Sequence, residues 1–362
     1  MMEVKVMEYS ILDNTQPIHV IPAYATVEEH AMFTIASAEE SYNRIMESVG
    51  IYELSLVMEG NENKEKLSIK NILKKFTDFV KGLWQRFQDL VKTARDKFVS
   101  FVGNKIKAIE EKKFNPEDVK KAIAASKDER WNKDSVKNVV QTKLAGNGQY
   151  ITSEYIAKVD KALTEISDKV AKAVEADAVD EIDVDGIFAD SFKGISKETF
   201  SDAAKLKDAI KGAIIDTKSV SAEEAKKLAG DYFANYFDFL MKSVNNFTSN
   251  IKSPYNATKK NFDKAIKEAQ KISKKSENAK AFKPLFKSAS ASLKVSSCVV
   301  NAAESAFYAE FRYKFSVVLN ALAITMVYKD KEEVKKESAV DDTTVATESS
   351  VFQTELASLF TF

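Results

Sequence analysis

Between Lys64 and Lys113 the chain reads KEKLSIKNILKKFTDFVKGLWQRFQDLVKTARDKFVSFVGNKIKAIEEKK. Apolar side chains fall at Ile69, Leu73, Phe76, Val80, Leu83, Phe87, Leu90 and Ala94, in steps of four and three. Those steps keep all of them on one stripe of an α-helix. Ile72, Phe79, Trp84 and Val91 widen the stripe beyond a narrow coiled-coil seam. The other face holds most of 14 Lys and Arg against 6 Asp and Glu, a net of +8. Such a helix must lay its apolar side on something. Three surfaces qualify: a core or partner helix, a lipid surface suited to Trp84 and the phenylalanines between flanking lysines, or phosphates along the basic side. Packing against helices is the first expectation, because amphipathic helices in chains of this size usually face a core. The interaction face expected of the chain is Ile69, Leu73, Phe76, Val80, Leu83, Trp84, Phe87 and Leu90.

The rest of the composition agrees with a helical fold. A chain of 362 residues can bury one large core or two ordinary ones. Its 10 Gly and 5 Pro are too few for the turns of a β protein, and 23 Phe supply core material. Charge sums to zero but is arranged in blocks. Residues 1–59 carry ten acids and two bases, directly before the +8 helix. Residues 172–190 hold seven acids and one base, residues 242–287 twelve Lys and three acids, and residues 330–350 seven acids and three Lys. The neutral sum argues against nucleic acid as a bulk partner, while the two basic blocks leave a local polyanion contact open. Cys298 is the one cysteine, which excludes an intrachain disulfide framework. It lies in the apolar run SSCVVNAA and reads as a buried thiol. The start, MMEVKVMEYSILD, has no basic region followed by an apolar one, so no signal peptide is expected. The longest uncharged apolar run, Phe315–Tyr328, has 14 residues against the roughly 20 that a membrane span needs.

Along the chain, residues 1–25 hold the only short β-leaning stretches and read as an extended arm. Thr26 with Glu29 forms a capping box that opens a helix through about Ser48, ended by Gly50. A short apolar helix, Ile51–Met58, precedes a linker at Gly60-Asn-Glu-Asn63. The basic helix follows, with an interruption near Gly103-Asn104. Asn115-Pro116 starts a helix over 116–126, and another is expected over 133–144. Gly146-Asn-Gly148 is a turn, either a loop between helices or a hairpin within KLAGNGQYIT. An amphipathic helix is expected over 153–176, with Ile156, Val159, Leu163, Ile166 and Val170 on its apolar face. An acidic loop reaches Ile187, and helices follow over 196–216 and 221–250, the latter opened by the capping box at Ser221. Ser253-Pro254 reads as the cap and first residue of a helix over 255–276. The final helix, 285–328, is rich in Ala and Ser and poor in charge, which places it at the centre of a bundle. Residues 330–350 read as a flexible acidic tail, and Val351, Phe352, Leu356, Leu359 and Phe360 as a terminal docking segment.

No catalytic constellation accompanies these helices, and no catalytic residue, cofactor or bound metal is expected. The two histidines, His19 and His30, are too few for the usual zinc sets, and no nucleophile or phosphate-loop motif occurs. One pattern is metal-like. Glu181, Asp183 and Asp185 alternate before Gly186, as in the first half of an EF-hand loop. Its twelfth position is Phe192, so the bidentate carboxylate is missing, and an acidic loop is the better reading.

The block Ser41-Tyr-Asn-Arg-Ile-Met-Glu-Ser-Val-Gly-Ile-Tyr-Glu-Leu-Ser-Leu-Val-Met-Glu59-Gly60, with Asn71-Ile-Leu-Lys-Lys-Phe-Thr-Asp-Phe-Val-Lys-Gly-Leu-Trp-Gln-Arg-Phe87, resembles the front of virion-associated proteins of tailed bacteriophages. The resemblance covers about residues 28–110. It implies an acidic helical segment, then a Lys/Phe-rich helix, then a divergent helical body. It also implies processing by a maturation protease that cuts after Glu with an apolar residue two positions earlier. Val57-Met-Glu59-Gly60 is similar to that pattern, as is Ile51-Tyr-Glu53. Cleavage between Glu59 and Gly60 would make the acidic segment a removable propeptide that shields the basic helix.

The expectation is thus an all-α, elongated multi-helix bundle with a short extended N-terminal arm and a flexible acidic C-terminal tail. Four regions follow: the acidic segment 1–60, the basic and short helices 61–145, the bundle body 146–328, and the tail 329–362. The expected function is that of a non-enzymatic structural or internal virion protein, made in the host cytoplasm and assembled with capsid components. Its partners would be other capsid proteins and further copies of itself. The alternative is a membrane-active helical protein that uses residues 64–113.

Overall fold

Amphipathic stripes bury themselves pairwise, and in this chain they do so as an all-α, multi-helix fold. The computed structural model describes residues 26–58, 69–110, 115–127, 129–143, 151–176, 182–192, 195–275 and 279–337. The arm 1–25, the linker at 60–63, the Gly146-Asn-Gly148 turn and residues 338–362 lie outside them. The helices are α1 (Val27–Met58), α2 (Ile69–Glu110), α3 (Pro116–Ala125), α4 (Asp134–Lys137), α5 (Ile151–Ala176), α6 (Val184–Ser191), α7 (Lys197–Ser201), α8 (Ala203–Ile214), α9 (Ala222–Ala234), α10 (Tyr236–Lys275) and α11 (Lys283–Glu337). Two short strands, β1 (Asn138–Thr142) and β2 (Ile215–Ser219), and two 3-10 turns, Glu129–Asn132 and Ala279–Phe282, complete the described elements.

The helices gather into two compact units, neither of which is a continuous stretch of sequence. Unit 1 comprises Met1–Asp96, Leu144–Ile214 and Thr248–Glu304; unit 2 comprises Lys97–Lys143, Ile215–Phe247 and Ser305–Phe362. In unit 1 the first part of α11 is apolar nearly all round, as a central helix must be. Leu285, Phe286, Leu293, Val295, Val299 and Val300 are buried there among Ser288, Ser292, Ser296 and Ala302. Small residues let neighbours come close, and some of their hydroxyls find partners there: Ser292 donates to the Ser288 carbonyl at 2.8 Å, and Thr258 of α10 donates to Ser296 at 2.9 Å. Phe76 and Phe79 of α2 pack on Phe286, with ring centroids 5.0 and 5.3 Å apart. Tyr155, Phe188, Phe192 and Phe200 form a second aromatic cluster that joins α5, α6 and α7.

In unit 2 Phe98 of α2 is fully buried against Phe247, Phe307 and Tyr308. Strands β1 and β2 pair antiparallel, with Val140 opposite Thr217. The Val220 amide donates to the Lys137 carbonyl at 2.9 Å and extends the ladder. Glu310 of α11 fixes the free end of β1, accepting from the Thr142 amide at 2.8 Å and from its hydroxyl at 2.5 Å. Lys314, one turn on, pairs with the same carboxylate.

Several boundaries differ from the sequence expectation. Residues 133–144 are not a helix but α4 followed by β1, and 196–216 is divided into α7, α8 and the start of β2. β-branched Val139, Val140, Thr142, Ile215 and Thr217 fit the pleated pairing better than a helix. Gly50 does not end α1, and Gly103 does not interrupt α2. The acidic loop gives way at Val184 to α6, and α11 runs nine residues past 328. The region 221–250 is split at Asn235, and Pro254 starts no helix but lies inside α10. Its ring removes the amide that would bond the Asn250 carbonyl. The buried hydroxyl of Thr152 donates to that carbonyl at 3.2 Å, so the helix continues.

Candidate interaction surfaces

The stripe expected to meet a partner is used inside the fold. Phe76, Val80, Leu83, Phe87 and Leu90 are at most 1% exposed, and Ile69, Leu73 and Trp84 are half-buried. All eight lie in unit 1. Trp84 packs on Tyr255 and Phe262 of α10, at 4.8 and 6.4 Å between centroids, and Gln88 donates to the Tyr255 hydroxyl at 2.9 Å. A partner or bilayer would reach this stripe only after α2 had left its neighbours. Among the described residues no helix is long and apolar enough to cross a membrane. The processing pair Glu59 and Gly60, and Val351, Phe352, Leu356, Leu359 and Phe360, lie outside the described residues.

The metal-like pattern around Gly186 has a structural explanation. Asp183 caps α6, accepting from the Gly186 amide at 3.1 Å, and its other oxygen takes the Lys197 ammonium at 2.6 Å. The Lys197 hydrogen bond, followed by that of Gly186, holds the Asp183 carboxyl below its ordinary range. Asp185 pairs with Lys287 of α11 at 2.8 Å. Asp183 and Asp185 thus each have a lysine, Glu181 lies outside the described residues, and among those described no group of three metal-ligating side chains occurs. Cys298 is buried, its thiol directed at the Ala203 carbonyl at 3.4 Å. Burial pushes its pKa up to about 12, which leaves it protonated and unreactive at neutral pH.

Two surfaces remain. The first joins α1 to the other helices of unit 1. Ala31, Ile35, Ala38 and Ile45 are buried, and polar contacts flank them. Glu28 meets Lys207 at 2.6 Å, Glu39 meets Lys294 at 3.7 Å, and Arg86 donates to Ser41 at 3.3 Å. Burial, partly offset by Glu40, lowers the Arg86 pKa.

The second is the outer face of α10. Lys252, Lys259, Lys260, Lys267 and Lys274 are exposed and recur at seven- or eight-residue steps. Seven residues are nearly two helical turns, so the five lie within an arc of about 100°. None pairs with an acid among the described residues, whereas Lys264 meets Asp160 at 2.7 Å and Lys271 meets Glu268 at 2.7 Å at the margin. Asp263, Asn256 and Gln270 are exposed in the same arc. Lys260, Asp263, Lys264, Lys267, Glu268 and Lys271 line a surface depression. The positive block is legible in the sequence, but its alignment is not. A helix break at Ser253-Pro254 would put Lys252 out of phase with the rest, and only the continuous α10 brings the five into line.

Against known proteins the chain stands apart: no family model matches it, nor does any curated protein or solved structure.

Proposed function

We propose that the chain is a non-enzymatic structural protein carried in the virion of a tailed phage, with its acidic front segment acting as a removable cover. The observation that carries this reading is the seating of α1. Within unit 1 an acidic segment rests on the other helices by a narrow apolar strip and by Glu28–Lys207 and Glu39–Lys294, ahead of the protease-type sequence Val57-Met-Glu59-Gly60. In both pairs the carboxylate stays about half exposed over a largely covered lysine, and ion pairs open to water on one side hold weakly, about 1 kcal/mol each, so such a segment is suited to being stripped. Its removal would bare Lys207, Lys294 and Arg86 together with the apolar strip beneath, a surface fit for capsid proteins or a second copy. The phage-like texture of residues 28–110 supports the same assignment.

The test is peptide-mapping mass spectrometry on particles purified from infected cells that make this chain. A mature N-terminus at Gly60 is the expected result. The full-length chain in particles would keep the structural role and remove the propeptide. Abundance in cells with absence from particles would overturn the virion assignment.

A further inference from the structure

The lysine line on α10 is the strongest feature that the virion reading leaves unused. From Lys252 to Lys274 the line spans 22 residue steps, about 33 Å of helix. Neighbouring charges along it stand about 10.5 Å apart where the step is seven residues. We infer that this line is a sequence-independent binding face for a linear polyanion, the phosphate backbone of a duplex nucleic acid.

Three observations favour a duplex over other anionic surfaces. First, the line is a narrow band, an arc of about 100° on one helix, and close to one helical turn of duplex long, roughly 34–36 Å. A rod of that length lies along a duplex and meets phosphates of both strands as they cross beneath it. Second, from Lys242 onward the apolar side of α10 is turned into the fold and not toward a bilayer. Ile251, Phe262, Ala265, Ala269 and Ile272 are buried in the fold. Among the described residues the large apolar side chains that stand exposed are Met32, Phe33 and Val99, none of them on α10. Membrane-surface helices need that side free. Third, all five cations are lysines, and no arginine or aromatic side chain stands on the arc. Lysines act as point charges on phosphates, whereas base readout calls for Arg, Asn or Gln forks or stacking rings. Asn256 and Gln270 are too few and too far apart to read a sequence. Among the described residues the five lysines have no acidic partners while their neighbours Lys264 and Lys271 do, which leaves their charge available. This inference does not depend on the chain being packaged.

The experiment uses the full chain and a fluorescently labelled 30-base-pair duplex, followed by anisotropy between 50 and 200 mM NaCl. Binding should be indifferent to base sequence. It should weaken with a log–log slope of about −4, a loss of a few hundred-fold across that range, as four or five released counterions require. Replacing Lys252, Lys259, Lys260, Lys267 and Lys274 by Gln should lower affinity at 50 mM salt at least ten-fold and flatten the slope. The same change at Lys161 and Lys172, exposed on α5, should leave both nearly unaltered. Asp263→Asn removes the one acid in the arc and should tighten binding two- to five-fold, a gain that misfolding cannot produce. No binding at 50 mM salt would overturn the inference, including the case in which the chain's own acidic segments cover the line. Binding that ignores the five-lysine variant would overturn it too. So would lysine-dependent capture on phosphatidylserine vesicles with no binding to duplex.

Discussion

Thr152 and Pro254 stand 102 positions apart in sequence, yet one makes the other tolerable. An interior proline in a helix ordinarily costs about 3 kcal/mol, partly through the carbonyl it leaves unbonded. The Thr152 hydroxyl takes up the Asn250 carbonyl. Thr152→Val should therefore destabilise unit 1 by about 1 kcal/mol, the ordinary worth of one buried hydrogen bond. In a Pro254→Ala background, where the new amide serves the carbonyl, the same change should cost less than about half as much. Chemical denaturation of the four variants measures this coupling. A second pair is local. A Cβ on Gly186 would come within 2.5 Å of the Asp183 carboxylate, so Gly186→Ala must push the cap aside. We expect it to cost about 1 kcal/mol in the native chain, as a lost N-cap does. With Asp183→Ala already present it should be neutral or mildly stabilising, since Ala is the better helix former. Thermal melts of the two singles and the double decide it. The Asp183 cap is a local signal and belongs to the acidic alternation seen in the sequence. The Thr152 contact is not, because nothing within a few residues of Ser253-Pro254 announces a hydroxyl from another helix.

At the scale of elements, long periodic segments were readable and short ones were not. Helices α2 and α5 follow from apolar spacing alone, because a stripe that repeats over many turns has one regular solution, and the core of α11 follows from its Ala/Ser-rich, charge-poor composition. Strands β1 and β2 are five residues each, and their pairing spans about 75 positions. What holds them is the partner strand and Glu310, neither of which periodicity can reveal. The same limit hid the lysine line until α10 was known to be continuous. The function of the α2 stripe can be tested by substitution. Phe87 is fully buried, so Phe87→Ala should destabilise unit 1 by about 3–5 kcal/mol. A stripe reserved for a partner or bilayer would show little loss in the isolated protein, and the denaturation midpoint distinguishes the two.

For the whole molecule, pH supplies a probe that does not depend on any one helix. Burial raises the Cys298 thiol from 9.0 to about 12 and the Tyr232 phenol from 10.0 to about 12, with Glu310 adding to the latter. Burial raises Tyr313, Tyr155 and Tyr42 as well. Each folded-state pKa lies above its unfolded value, so the folded chain keeps protons that the unfolded chain has released. The resulting stability is complete below about pH 8.5 and falls as pH rises towards 12. Cys298 alone contributes a loss of roughly 1 kcal/mol per pH unit in that window. Denaturation midpoints at pH 7, 9 and 10.5 should decline in that order, and Cys298→Ala should soften the decline. A thiol reagent at pH 8 should label Cys298 only as fast as unit 1 opens.

The interleaving of the two units has a temporal side. Unit 1 needs Thr248–Glu304 to close, and about two hundred residues separate that requirement from the end of its first segment at Asp96. At a ribosomal pace of about 5–20 residues per second, α2 emerges some 10–40 s before α11 arrives to cover Phe76 and Phe79. For that interval an uncovered aromatic stripe waits in a crowded solution. Order of synthesis, and whatever shelters a nascent chain, therefore belong to the physics of this fold as much as its packing does.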